Sequence, residues 1–113
     1  NDISYLFAGA DGHDLENAME QIGTLFNIER IVLEGGGIVN GQFLKHGLID
    51  EFSLMIYPGI DGLAGIHSIV EYTGNDDERP ATGQSLELIS ADKLENGVIW
   101  LYYRVHRKPP ASR

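Results

Sequence analysis

The chain has 113 residues, with 17 acidic against 8 basic side chains, a formal net charge of -9 and no cysteine. This length predicts a single domain, or part of one, whose core needs no disulfide. The composition excludes disulfides, zinc–thiolate sites and cysteine catalysis from these residues, and the acidic balance argues against a nucleic-acid partner held by bulk electrostatics.

The first part of the chain has a strand–helix–strand pattern. Residues 3–8 (ISYLFA) predict a short buried strand. Asp14 stands where a helix N-cap belongs, and Asn27 is a plausible left-handed stop for that helix. Residues 30–34 (RIVLE) predict a second strand, covered on both faces. This order is typical of a parallel βαβ unit with a right-handed crossover. The helix is predicted from apolar residues spaced three and four apart, namely Leu15, Ala18, Met19, Ile22, Leu25 and Phe26.

A second helix and a third strand are predicted next. We predict a short helix at residues 38–45, with Gly47 as its C-terminal stop. We predict a strand at residues 51–57 (EFSLMIY), and Pro58-Gly59 ends it. Three side chains of this helix are expected to face inward: Val39, Phe43 and Leu44.

The last part of the chain combines a long loop with a hairpin. Residues 58–84 are irregular, with one helical turn expected at 66–72, and loops of this length are usually functional. Residues 85–91 and 98–106 predict two strands joined by the turn dipeptide Asn96-Gly97. The predicted fold class is α/β, with a mainly parallel sheet and a terminal antiparallel hairpin.

Three adjacent glycines, Gly35 to Gly37, lie between the predicted strand 30–34 and the second helix. Ligands of open parallel sheets bind beyond the carboxyl ends of the strands. The free amides and the dipole of a helix N-terminus favour phosphate, and glycine lets a ligand approach the backbone closely. The motif is neither GxGxxG nor a P-loop, so a tight turn that only packs closely is the alternative. The predicted cofactor-binding residues are Gly35, Gly36, Gly37, Ile38, Val39, Asn40 and Gly41.

Glu34 stands directly before these glycines. Because a carboxylate repels phosphate, we expect its partners to be donors, such as substrate hydroxyls, ring nitrogens or a ribose. The alternative is a carboxylate that stabilises the positive end of the next helix.

Other catalytic chemistry has little support in the sequence. The four histidines show no metal-ligand spacing, and no serine lies in a nucleophile motif. We predict no metal site and no nucleophilic hydrolysis, and we identify no catalytic residue. No apolar run is long enough to span a membrane, and nothing resembles a signal peptide. We therefore expect a soluble, cytoplasmic protein.

Residues 33–62 (LEGGGIVNGQFLKHGLIDEFSLMIYPGIDG) resemble the riboflavin-biosynthesis reductase domain, the RibD C-terminal family. The resemblance runs from ISYLFAG to LELISADKLENGVIWLYYRV and covers nearly the whole chain. It implies a dihydrofolate reductase-like three-layer sandwich, of which residues 1–113 form the C-terminal half. The chain begins at Asn1, within what reads as structured sequence, and we expect it to be part of a larger reductase domain.

The resemblance also implies an activity. Such reductases are NADPH-dependent oxidoreductases that transfer a hydride to a ribosylaminopyrimidine 5'-phosphate or a related small molecule, acting on CH-OH or CH-NH type groups. Glu34 would contact the substrate, and residues 36–41 would line the phosphates of NADPH. The family commonly dimerises, so a homodimer is expected, with the final strand as a candidate interface.

The distribution of basic residues limits this expectation. The basic residues are not clustered near the glycines, so the arginines that select NADPH over NADH are expected upstream or in another chain, and we expect negligible activity from the 113 residues alone. The alternatives are a dihydrofolate reductase-like enzyme of other substrate and a non-catalytic nucleotide-binding or assembly module.

Overall fold

A computed structural model describes Leu6, Ala8 and residues 14–108 of the chain. Its regular elements are two helices and three strands, with a short 3-10 turn at Glu95–Gly97: α1 (Leu15–Leu25), α2 (Gly37–Lys45), β1 (Glu51–Ile56), β2 (Gln84–Lys93) and β3 (Ile99–Arg107). The predicted strand at residues 3–8 falls mostly outside the described residues. Neither of the two helices seen in this part of the chain has the length and apolar character to cross a membrane.

The predicted first helix is confirmed as α1. The side chain of Asp14 accepts a hydrogen bond of 3.2 Å from the backbone amide of Asn17, which satisfies one of the free amides of the first turn. Beyond its C-terminal end, Asn27 has a φ of 54°, the left-handed conformation that stops a helix. The apolar stripe buries Ala18.

The described sheet is entirely antiparallel, in the order β1-β3-β2. The terminal hairpin is confirmed, and its turn uses positive φ angles at Asn96 and Gly97, as an Asn-Gly turn requires. A bulge between Leu88 and Ser90 leaves Ile89 unmatched in the register of β2 and β3. The mainly parallel sheet is not confirmed by the described residues.

Two local predictions are wrong. Residues 30–34 form no strand, and Val32 is 76% exposed. A strand needs backbone partners, and none of the described residues forms a backbone hydrogen bond with this segment. Residues 66–72 form no helix but run irregularly along α2.

One face of the sheet packs against α2 and the long loop. Phe52, Leu54, Tyr103 and Val105 line a cavity of about 240 Å³ together with side chains of α2 and of residues 69–81. The core is small, since the buried hydrophobic residues in the described part are Ala18, Ile49 and Val105.

Candidate functional site

The N-terminus of α2 is open and uncapped. Its N-cap residue, Gly36, has extended backbone angles (φ -68°, ψ 174°) and supplies no side-chain hydrogen bond. The first amides of a helix have no partner within the helix, and the helix dipole adds a partial positive charge there. Ile38 and Val39 in this turn are 46% and 45% exposed. This arrangement suits an anion.

The exposure of Val39 corrects the prediction that it faces inward. A side chain at Gly35 would place its β-carbon 2.8 Å from the side chain of Val39. Gly35 therefore leaves room for Val39, which folds back over it. Nothing lies within 4 Å of the corresponding position at Gly36, so this glycine borders open space.

Gly37 and Gly41 face the protein's own backbone. A β-carbon at Gly37 would overlap the carbonyl oxygen of Ser68, and one at Gly41 would overlap the carbonyl oxygen of Glu71. These glycines are one helical turn apart, so they form one bare strip along α2. The strip allows residues 68–72 to lie directly against the helix.

Hydrogen bonds fix this contact. The amide of Glu71 donates to the carbonyl of Gly37 at 2.8 Å. The side-chain amide of Asn40 donates to the carbonyl of Ile69, also at 2.8 Å. The structure thus separates the seven predicted cofactor residues. The open end of the helix holds Gly35, Gly36, the amide of Gly37, Ile38 and Val39. The side of α2 with Asn40 and Gly41 holds the loop.

Sequence reasoning missed the residues that this loop brings beside the turn. Nδ1 of His67 lies 2.8 Å from Oε2 of Glu71, and the amide of Ser68 donates to Oε1 of Glu71 at 3.3 Å. These hydrogen bonds hold the pKa of the Glu71 carboxyl below its ordinary value, with His67 as the larger cause. The segment has no periodic pattern, so only its proximity to Gly37 in space reveals it.

We expect Glu71→Gln to loosen the loop in a pH-dependent way. A lowered carboxyl pKa means that the stabilisation is present above the ordinary value of about 4.3 and is lost as the pH falls through the lowered folded value. The variant of the full-length protein should therefore melt below the wild type at neutral pH, and this difference should shrink as the pH falls below the ordinary carboxyl value of about 4.3. Thermal unfolding over a series of pH values from neutral to acidic measures this. Glu20→Gln, an exposed position on α1, is the matched control and should show no such difference.

Glu34 lies exposed immediately before this turn. It makes no hydrogen bond or ion pair with any residue that the structure describes, and its side chain does not cap α2. The carboxylate is free to accept hydrogen bonds from a ligand at the same end of the helix. In the alternative role, Glu34 would stabilise the positive end of α2. Without a hydrogen bond to the helix, it would do so only through the electrostatic attraction between its carboxylate and the helix dipole.

The opposite end of α2 is also joined to the long loop. Nζ of Lys45 lies 5.8 Å from the centre of the Tyr72 ring, within the range of a cation–π contact. Next to this contact, the side-chain amide of Gln84, the first residue of β2, donates to the carbonyl of Leu44 at 2.8 Å. The loop therefore contacts α2 along its length and leaves the N-terminal turn open.

Comparison with known proteins places this geometry in a family. Residues 4–100 match the family model described as the RibD C-terminal domain. The comparison with curated protein sequences gives no significant match.

Two solved structures are similar in fold. A pyrimidine reductase-like protein from Corynebacterium diphtheriae (DIP1392) is 27% identical, with a TM-score of 0.67, over 84% of this chain and 36% of that chain. RibD of Acinetobacter baumannii is 23% identical, with a TM-score of 0.61, over 81% of this chain and 25% of that chain. The chain therefore spans about a third and a quarter of the lengths of these two proteins.

Proposed function

Since the chain belongs to the RibD C-terminal domain family, a family of reductases, we propose that it forms the cofactor-phosphate side of an NADPH-dependent reductase. The open, uncapped N-terminus of α2 carries this proposal. An alternative, non-catalytic nucleotide-binding module would use the same turn without turnover.

Because the chain is acidic overall, any attraction for phosphate must come from a local site. The formal net charge is -9, so the overall field repels a dinucleotide. The attraction must come from the free amides of the first turn of α2 and from its dipole, which act over a few ångströms. Gly36 borders open space and lets phosphate oxygens reach these amides.

Glu34 is proposed to orient the substrate. Its carboxylate only accepts hydrogen bonds, so it selects a ligand with hydroxyl or amine donors. A ribosylaminopyrimidine 5'-phosphate carries both kinds of donor, and the pyrimidine reductase-like description of the diphtheria protein supports that substrate class. NADPH, when bound, supplies the hydride, and the residues of this chain position the reactants.

The complete activity is proposed for a longer protein, because the chain spans only part of the two similar structures. In it, we propose that β1, whose outer edge pairs with none of the described strands, continues into a mainly parallel sheet. That sheet would bring the N-terminus of α2 to the carboxyl end of a strand, where open α/β sheets bind ligands. A reductase that draws on NADPH is proposed to work in the cytoplasm.

Titration calorimetry of the full-length protein with NADPH and with NADH tests the proposal. We expect NADPH to bind. When a ribosylaminopyrimidine 5'-phosphate is added, we expect the absorbance of the reduced nicotinamide to fall, because NADPH is oxidised. Binding without turnover of this compound or related carbonyl and imine substrates would favour the non-catalytic module. Absence of binding by either nucleotide would overturn the proposal.

A further inference from the structure

The cavity between the sheet, α2 and the long loop takes no part in the proposed reductase site. It has a volume of about 240 Å³, and apolar side chains from all three elements line it, among them Leu44, Phe52, Val70 and Val105. Leu44 lies in the last turn of α2, and at the rise of an α-helix it is about 10 Å along the axis from Gly37. The cavity is therefore separate from the open N-terminus of α2.

The size and lining of this cavity suit a small ring compound better than water. A buried water needs polar partners, whereas an apolar cavity of about 150 Å³ stays dry and takes up benzene. None of the described residues that line the cavity is charged, and its polar side chains are Gln84, Ser85 and Tyr103. A charged ligand would lose its hydration there without gaining a paired charge. Dinucleotides and sugar phosphates are therefore excluded.

Gln84 contributes one unpaired acceptor to this lining. Its Oε1 atom is buried and has no hydrogen-bond partner in the part of the chain that the structure describes. The side-chain nitrogen donates to the carbonyl of Leu44 at 2.8 Å and to that of Pro80 at 3.4 Å. Since both partners only accept hydrogen bonds, the amide cannot turn over to exchange its nitrogen and oxygen. An unpaired buried acceptor is costly, so a ligand that donates to this oxygen is favoured.

The loop segment that borders the cavity also holds α2. Val70 lines the cavity, and the residues on either side of it are bonded to the helix. The carbonyl of Ile69 accepts a hydrogen bond from the side chain of Asn40, and the amide of Glu71 donates to the carbonyl of Gly37. An occupant that packs against Val70 therefore stabilises the contact between the loop and α2.

We propose that this cavity is a second binding site, which takes a small uncharged aromatic compound with a single O–H or N–H donor. The ring packs among the apolar side chains, and the donor binds Oε1 of Gln84. The site is independent of the dinucleotide and of Glu34, so its test does not depend on reductase activity.

Phenol and toluene are the probes, because they have nearly the same shape and only phenol has a donor. Calorimetric titration of the full-length protein measures the two dissociation constants, and we expect both compounds to bind whether NADPH is present or absent. Gln84→Met removes the acceptor and keeps a side chain of similar length. We expect it to weaken phenol binding roughly fivefold, as the loss of one hydrogen bond does, and to leave toluene binding nearly unchanged.

Val70→Trp fills the cavity and provides a second readout if Gln84→Met does not fold. We expect it to abolish the binding of both compounds. Ile60→Trp is the matched control, because it places the same side chain at a loop position that is 98% exposed. This variant should bind phenol and toluene as the wild type does.

Several results would overturn the proposal. Absence of phenol binding by the wild type would mean that the core or another part of the longer protein fills the cavity. Displacement of phenol by NADPH would place phenol in the dinucleotide site. Phenol binding that persists in folded Val70→Trp, or equal effects of the two tryptophan variants, would place it elsewhere on the surface. Unchanged phenol binding in folded Gln84→Met, or equal weakening of phenol and toluene, would show that Gln84 does not select a donor.

Discussion

Gly41→Ala is expected to lower the free energy of unfolding of the full-length protein by about 2–4 kcal/mol. The new β-carbon would lie 2.5 Å from the carbonyl carbon of Glu71 and 3.0 Å from the amide nitrogen of Tyr72. Both are backbone atoms, so the loop must move away from α2. Overpacking of this kind costs about 1–3 kcal/mol, and the displaced hydrogen bonds to Gly37 and Ile69 add about 1 kcal/mol each. The better helix propensity of alanine offsets about 1 kcal/mol of this destabilisation. Urea unfolding measures the difference.

Gly23→Ala is the matched control. Gly23 also lies within a helix, but the atom nearest to a β-carbon at this position would be the carbonyl oxygen of Ile28 at 3.9 Å, an ordinary contact. The substitution should raise the free energy of unfolding by up to about 1 kcal/mol through propensity alone. Opposite signs for the two variants are the expected result. A stabilised Gly41→Ala variant would show that residues 68–72 do not rest on α2.

Apart from the family resemblance, which the match over residues 4–100 confirms, the clearest of the confirmed local predictions concern signals contained in a short stretch of chain. Asp14 begins α1, Asn27 ends it with a positive φ, and Asn96 and Gly97 turn the hairpin. Each of these residues acts on backbone within a few positions of itself, through a cap or a left-handed conformation. Such signals do not depend on what the rest of the chain does.

The failures concern contacts between distant segments. Residues 30–34 have the composition of a buried strand, but a strand forms only where backbone partners are present. Asn40 and Ile69 are 29 positions apart, and nothing in the irregular segment 66–72 indicates that it crosses a helix. Sequence alone also does not distinguish a glycine that admits a ligand from one that admits a neighbouring backbone. Gly36 borders open space, whereas Gly41 lies beneath the loop.

Gly36→Asp is expected to separate the stability of α2 from its binding of NADPH. Aspartate is a favoured N-cap residue, and the backbone of Gly36 already has the extended angles of an N-cap with nothing within 4 Å of the new β-carbon. The free energy of unfolding should stay level or rise by a few tenths of a kcal/mol, roughly the difference between glycine and aspartate at this position. The same side chain takes up an amide of the first turn and adds a negative charge there. The affinity for NADPH should fall about tenfold or more, because two like charges about 4 Å apart near a protein surface repel each other by roughly 1–4 kcal/mol.

Gly36→Asn separates the two causes of that loss. Asparagine caps a helix about as well as aspartate and has nearly the same shape, but it carries no charge. Its dissociation constant for NADPH should lie between those of the wild type and Gly36→Asp. The gap between the two variants should narrow at high salt, because screening weakens the repulsion between the carboxylate and the phosphates. Calorimetric titrations at low and high salt measure this gap. Equal NADPH affinity in all three proteins would mean that the phosphates bind away from the N-terminus of α2, and the role proposed for the glycine turn would be wrong.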